Sequence, residues 1–165
     1  RRGFALSAAR SLLFNAVLDA RVRDGSWNRL IAGEAVMLNG SHSVFSLADT
    51  DQAPEELTAR LDAFDIHPSG PLPGRDGNDV VTAAAQALEA DVLAAYPDLV
   101  KGLADTGVDA ARRSLRLAVP TLDWHFEADD TLALSFWLPP GAFATSVLRE
   151  LARTDEHRHT EPPAD

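Results

Sequence analysis

Apolar side chains recur at Leu6, Ala9, Leu13, Val17 and Ala20, a three-to-four spacing that predicts an amphipathic helix over residues 4–23, with Gly25 placed to stop it. Ser7, Ser11 and Asn15 fall on another face, the place of a solvated or small-residue packing stripe. Glu34 to Leu38 and Ser43 to Leu47 bracket Asn39-Gly40, a pair that suits positive φ at both centres of a type I′ turn, so a β-hairpin is expected. A second helix is predicted over 54–64, opened by Thr50 or Asp51 and Pro54, with Glu55 and Glu56 at the positive end of its dipole. The run Pro68 to Gly74, with three prolines and two glycines, reads as an ordered loop or a linker. Val81, Ala85, Leu88, Val92 and Ala95 share one face of what reads as the longest helix, Asp79 to Tyr96, ended by Pro97. Gly102 and Gly107 then punctuate a short acidic connection.

From Arg112 the period shortens to two. Leu115 and Leu117 alternate with polar residues, then Leu122, Trp124 and Phe126, then Leu132, Leu134, Phe136 and Leu138 after an Asp129-Asp130 turn. An antiparallel hairpin with a large apolar face is expected. Pro139-Pro140-Gly141 breaks the strand, and Phe143, Val147 and Leu151 announce a closing helix that ends near Thr154. A polar, proline-rich tail runs from Asp155 to Asp165. The fold class is α+β.

The length of 165 residues and the 45% hydrophobic content allow one core or two small ones. No apolar run approaches the roughly 20 residues that span a bilayer. The absence of cysteine removes disulfides, cysteine zinc sites and thiol nucleophiles, and leaves the cytoplasm as the default compartment. A net charge of -10 argues, taken alone, against a nucleic-acid binder. The charge is uneven, however. Residues 1–30 hold six arginines against two aspartates, whereas residues 31–110 hold three basic residues against fourteen acids.

The common enzyme fingerprints are missing: no phosphate-binding glycine loop, no nucleophile elbow, no His-Glu-x-x-His. His42, His67, His125, His157 and His159 are scattered, and His157-Arg158-His159 in the tail reads as solvated rather than as a metal clip. Asp76-Gly77-Asn78-Asp79 resembles part of a calcium loop but lacks its closing glutamate, so an N-cap for the following helix is the simpler reading. Arg112-Arg113 with Arg116 forms a basic cluster that suits either a phosphate or a solvated edge strand. At the strand exit, Phe143 and the free amides of the first helical turn make a corner fit for a stacked base and a phosphate, although a core role for Phe143 is the more economical reading of the residues alone.

Two separated stretches add to this. Leu6-Ser7-Ala8-Ala9-Arg10-Ser11-Leu12-Leu13-Phe14-Asn15 with Arg21, and the run from Leu134 through Phe136-Trp137-Leu138-Pro139-Pro140-Gly141-Ala142-Phe143-Ala144-Thr145 to Arg149-Glu150-Leu151, resemble the C-terminal half of the tRNA pseudouridine synthase D family. Gly33-Glu34, Gly70 to Gly74 and Ala110 to Leu115 lie between them in that family's order. The resemblance implies a bacterial enzyme that isomerises a uridine of tRNA, position 13 in the family, to pseudouridine with no cofactor and no metal. Residues 1–117 would be most of a family-specific helical and hairpin insertion domain, truncated at its start. Residues 118–165 would be the last hairpin and helix of the catalytic domain. Phe143 matches the family's active-site aromatic residue, with Gly141, Thr145 and Arg149 as further substrate-binding candidates and Arg10, Arg112 and Arg113 as candidate RNA contacts. The partners implied are tRNA and an N-terminal half of the same polypeptide, with no membrane.

The sequence departs from the family at one decisive point. The family's catalytic aspartate follows a lysine, and here the single lysine, Lys101, precedes Gly102. A chain that opens at Arg1 directly against a helix is therefore expected to be the second half of a longer polypeptide, inactive alone. The competing expectation is a non-enzymatic acidic module that binds a protein partner through the apolar hairpin face, Trp124, Trp137 and Phe143. A glycosidase-like reading of Asp123 and Glu127 rests on strand spacing only.

Overall fold

The three-to-four spacing of the first segment produces α1 (Arg2–Arg23), the longest helix among the described residues of the computed structural model. Leu13, Phe14, Val17 and Arg21 are its buried side chains. Gly25, at φ +72°, closes it in a Schellman turn: the Ser26 amide donates to the Arg21 carbonyl at 2.8 Å and the Gly25 amide to the Val22 carbonyl at 3.2 Å. The structure describes residues 2–50, 53–76, 80–128, 130–139 and 142–152. The chain divides into two units, Arg1–Leu117 and Ala118–Asp165.

In the first unit, β1 (Ala35–Leu38) and β2 (Val44–Ser46) form the expected hairpin, α2 (Glu55–Asp62) follows, and β3 (Ile66–Leu72) lies in the middle of a four-stranded antiparallel sheet of order β2-β1-β3-β4, with β4 at Ala111–Ser114. Helices α3 (Ala83–Leu93) and α4 (Pro97–Asp105) come between β3 and β4. The main core gathers Val36, Leu47, Leu61 and Ile66, and a second cluster gathers Ala35, Val81 and Ala85. Helix α1 packs on β3, α3 and α4.

Four local expectations need correction. The Pro68 to Gly74 run is largely β3 rather than a linker. Its first half pairs with β1 (Val36 opposite Pro68) and its second half with β4 (Pro71 opposite Arg112), and the Pro68 carbonyl also accepts the Leu115 amide at 2.9 Å. The hairpin turn is not a two-residue type I′. Only Gly40 has positive φ, and Leu38 bonds Ser43 across a four-residue connection, because the Asn39 amide is taken by the Asp65 carbonyl at 2.9 Å. The segment expected to form one helix to Tyr96 gives the shorter α3, whose N-cap is Thr82 rather than a residue of the Asp76 to Asp79 run. Pro97 then opens α4 at its first position, where a missing N–H is harmless, and Gly102 lies inside that helix.

Two glycines are required by close approach. A Cβ on Gly33, itself at φ +71°, would lie 2.1 Å from the Thr82 carbonyl oxygen. One on Gly70 would lie 2.9 Å from the Leu115 side chain and 3.0 Å from the Phe14 ring, so this strand position is reserved for the helix above it.

The second unit is the hairpin of β5 (Asp123–Ala128) and β6 (Thr131–Ser135) followed by α5 (Ala144–Leu151). Trp124 lies opposite Leu134 and Phe126 opposite Leu132, with a register shift between Phe126 and Ala128. Asp129 of the expected turn, the end of α5 near Thr154 and the tail with His157 and His159 lie outside the described residues. Among the described residues no helix is long and apolar enough to cross a membrane.

Candidate functional site

Strand β6 delivers the chain to Pro139, where the Ala142 amide donates back to the Pro139 carbonyl at 3.1 Å and turns it toward α5. Phe143 is the residue that precedes α5, in extended backbone at φ -118°, and no side chain caps the helix there. The aromatic ring is 71% exposed. That differs from the core role the residues alone suggested, because the N-cap position holds the ring outside the apolar stripe of Val147 and Leu148, which are half-buried. Thr145 and Arg149 are exposed, one turn apart on one face of α5. Gly141 lies outside the described residues. The arrangement presents an aromatic face, uncapped helix amides, a hydroxyl and a guanidinium from one short segment. Such groups can stack a base and hold an anion, but none is a nucleophile suited to a sugar carbon.

The hairpin beside it carries apolar surface. Trp124 is 59% and Phe126 65% exposed, their rings edge to face at 6.1 Å, with Leu132 also exposed. On the polar side, His125 stands 3.9 Å from Glu127. Asp123 and Glu127 are four strand residues apart, roughly 13 Å, beyond the ~5–9.5 Å at which two carboxylates cooperate on a glycosidic bond.

The three arginines expected to meet RNA have different fates. Arg112 is not a surface cation. Its side chain is 2% exposed and clasps Glu89 of α3 at 2.5 and 3.1 Å, while donating to the Ser69 hydroxyl at 2.8 Å and the Ser69 carbonyl at 2.6 Å. All its donor nitrogens are engaged, so it has nothing to offer a phosphate. Strand alternation turns Arg113 outward instead, with its guanidinium 5.1 Å from the centre of the Phe14 ring. Arg10 reaches from α1 to the carbonyls of Leu72 at 3.1 Å and Asp109 at 3.0 Å. Burial, then the neighbouring charge of Arg113, hold Arg10 below the ordinary guanidinium value. Arg10 and Arg113 are thus brought together, and Arg112 is withdrawn.

Two further polar groups take part in the fold rather than in a site. Arg21 and Glu34, both buried, meet at 2.8 Å; burial pushes the Glu34 carboxyl up, against the pull of Arg21. His67 is buried between Asn39, whose Oδ1 lies 3.1 Å from Nε2, and Arg116, whose Nε donates to Nδ1 at 3.1 Å, which fixes the proton on Nε2. Arg116 also donates to the carbonyls of Leu61 and Ile66 and lies 4.4 Å from the centre of the Phe64 ring. Sequence reasoning missed Glu89 altogether, since a glutamate on a helix carries no sign that an arginine 23 residues later will close on it.

The family model described as tRNA pseudouridine synthase D (TruD) matches residues 2–151. Relatives named tRNA pseudouridine synthase D from Nitrosococcus oceani and Methylococcus capsulatus are 49% and 45% identical, each over 94% of this chain. The match covers 42% and 43% of those relatives, so the chain spans about two fifths of their length. A solved structure from Methanosarcina mazei that carries the same family name superposes with a TM-score of 0.58 over 86% of this chain and 36% of its own, at 24% identity, a likeness of fold.

Proposed function

The chain belongs to the tRNA pseudouridine synthase D family, and from that premise we propose that it forms the C-terminal two fifths of a cytoplasmic enzyme that converts a uridine of tRNA, position 13, to pseudouridine. Residues 1–117 make up most of its insertion domain, without its start, and residues 118–165 the end of its catalytic domain. The reaction is an isomerisation. The C1′–N1 bond breaks, the uracil turns, C1′ bonds to C5, and the C5 proton is lost while N1 gains one. A base inside a helix stack is out of reach of that chemistry, so the nucleotide leaves the stack.

The observation that carries this reading is Phe143, a large aromatic held 71% exposed at the start of α5. A flipped uracil stacks on its face, with Thr145 and Arg149 positioned to meet the sugar-phosphate. Gly141, in the same family string, is the fourth member of this set. The nucleophile comes from elsewhere in the longer protein, since no Lys-Asp pair occurs in this sequence. The apolar hairpin face of Trp124, Phe126 and Leu132 packs against that other part, for a two-stranded hairpin is marginal by itself.

The test compares this chain with the longer protein in a tritium-release assay on tRNA labelled at uridine C5. The chain alone is expected to be inert and the longer protein active. Phe143→Ala in the longer protein lowers kcat/KM roughly ten- to hundredfold with an unchanged circular dichroism spectrum, the size expected for one lost stacking contact. Release by the chain alone overturns the assignment of the nucleophile, and full turnover by the variant returns Phe143 to a packing role.

A further inference from the structure

The N-terminal half of α1, the end of β3 and the β4 region line a solvent-open cleft of about 260 Å³ in the first unit, formed by Gly3, Leu6, Ser7, Arg10, Leu72, Val108 and Arg113. Its surface is mostly apolar, with Leu6, Leu72 and Val108 as its aliphatic side chains, and its two charged groups are both cations. Neither Arg10 nor Arg113 has a carboxylate partner among the described residues, whereas Arg21, Arg23, Arg60, Arg75 and Arg112 each have one. The nearby Asp109 carboxylate is turned to Arg75 at 2.6 Å, and only its backbone carbonyl reaches Arg10. Arg10 and Arg113, which flank the acidic 31–110 stretch in sequence, thus stand side by side as two guanidiniums with no carboxylate between them.

Geometry keeps them adjacent. Arg10 is pinned by the Leu72 and Asp109 carbonyls, and its buried Nε has no hydrogen-bond partner among the described residues. Arg113 lies against the Phe14 ring, which holds the guanidinium in place without neutralising it. Like charges held together cost free energy unless an anion joins them. An anion alone would need no apolar cleft, and an apolar ligand alone would need no guanidinium pair. The ligand that uses both has an apolar part and an anionic end.

The geometry points to this cleft as a seat for one unstacked nucleotide of the RNA, its phosphate on Arg113 and its base against Leu6, Leu72 and Val108, an inference that rests on the RNA reading above. The seat lies in the insertion domain and is separate from Phe143. It anchors the RNA and takes no part in the bond exchange.

The experiment is a titration of the 165-residue chain with an unmodified tRNA transcript, followed by fluorescence anisotropy between about 50 and 200 mM KCl. Arg113→Ala is expected to weaken binding on the order of fivefold and to make the salt dependence shallower by about one ion. Leu6→Trp, which fills the cleft and keeps both charges, is expected to weaken binding by a similar factor with the salt dependence unchanged. If Leu6→Trp melts early, Ser7→Phe fills the same space from an exposed helix position. Lys101→Ala, on α4, binds as the parent chain does. Parental affinity in both Arg113→Ala and the cleft-filling variant overturns the seat and leaves the RNA reading standing. Weakening by Arg113→Ala alone overturns the base seat in favour of a bare phosphate contact. A parent chain that binds no tRNA removes the RNA reading for this region together with the seat.

Discussion

Phe64 occupies the position after the α2 C-cap where the chain needs a left-handed residue, at φ +58°. The turn is otherwise the same as the one Gly25 closes: the Asp65 amide bonds the Arg60 carbonyl at 3.0 Å and the Phe64 amide bonds the Leu61 carbonyl at 3.1 Å. A side chain there costs roughly 1–2 kcal/mol, and the Arg116 guanidinium over the ring offsets part of that cost. Replacing Phe64 by Gly relieves the backbone and removes the stack, so chemical unfolding should show a change within about 1 kcal/mol of zero, whereas Phe64→Ala, which keeps the strain and loses the ring, should lose about 1–2 kcal/mol. Equal losses in the two variants would show that backbone conformation plays no part. The Arg112–Glu89 pair is a harsher case. Glu89→Ala leaves a buried guanidinium without its carboxylate and should cost about 3–5 kcal/mol in a urea titration.

At the scale of elements, the periodic segments were legible: α1, the β1–β2 hairpin, α2, the β5–β6 hairpin and α5 follow from spacing alone. Strand β3 was not, because Pro68, Gly70 and Pro71 are punctuation to any local rule and only the tertiary context makes them a strand. The ladder changes sides along the strand, and the glycine fits because Phe14 lies on it. Pro97 failed for the opposite reason, since one residue type both ends and begins helices. Of the candidate site, the family resemblance singles out Phe143 as a proposed stacking residue, while the residues alone placed it in a core and the structure has its ring exposed. Arg112 and Arg113 are neighbours of one chemical type, and strand alternation buries one and exposes the other. The element-scale prediction concerns the α1–β3 contact. Gly70→Ala forces the Phe14 ring or Leu115 to move and should destabilise the first unit by about 1–3 kcal/mol in thermal unfolding.

For the whole molecule, buried ionisable groups set the response to pH. Burial first, then the charge of Arg116, lower the His67 pKa, so the folded chain refuses a proton that the unfolded chain accepts. Stability from this group is complete above the unfolded value of about 6.5 and is lost as pH falls below it. Glu34 works with the opposite sign. Its folded pKa is raised by burial, so its cost is fully present above that pKa and fades as pH drops toward the unfolded carboxylate value of about 4.3. The change in unfolding free energy on going from pH 7.5 to about 5.5, measured in urea, should therefore be shifted in the stabilising direction for His67→Gln relative to the parent chain. An unchanged difference would show that His67 titrates alike in both states. The Phe14–Gly70 contact bears on the whole molecule in another way, as protection against misfolding. A slip of β3 by two residues keeps its faces but brings Pro68 or Leu72 beneath the ring, and a slip by one brings Ser69 or Pro71. Each of these near slips thus carries a side chain into the space of an aromatic ring, and the helix acts as a gauge that rejects the neighbouring registers.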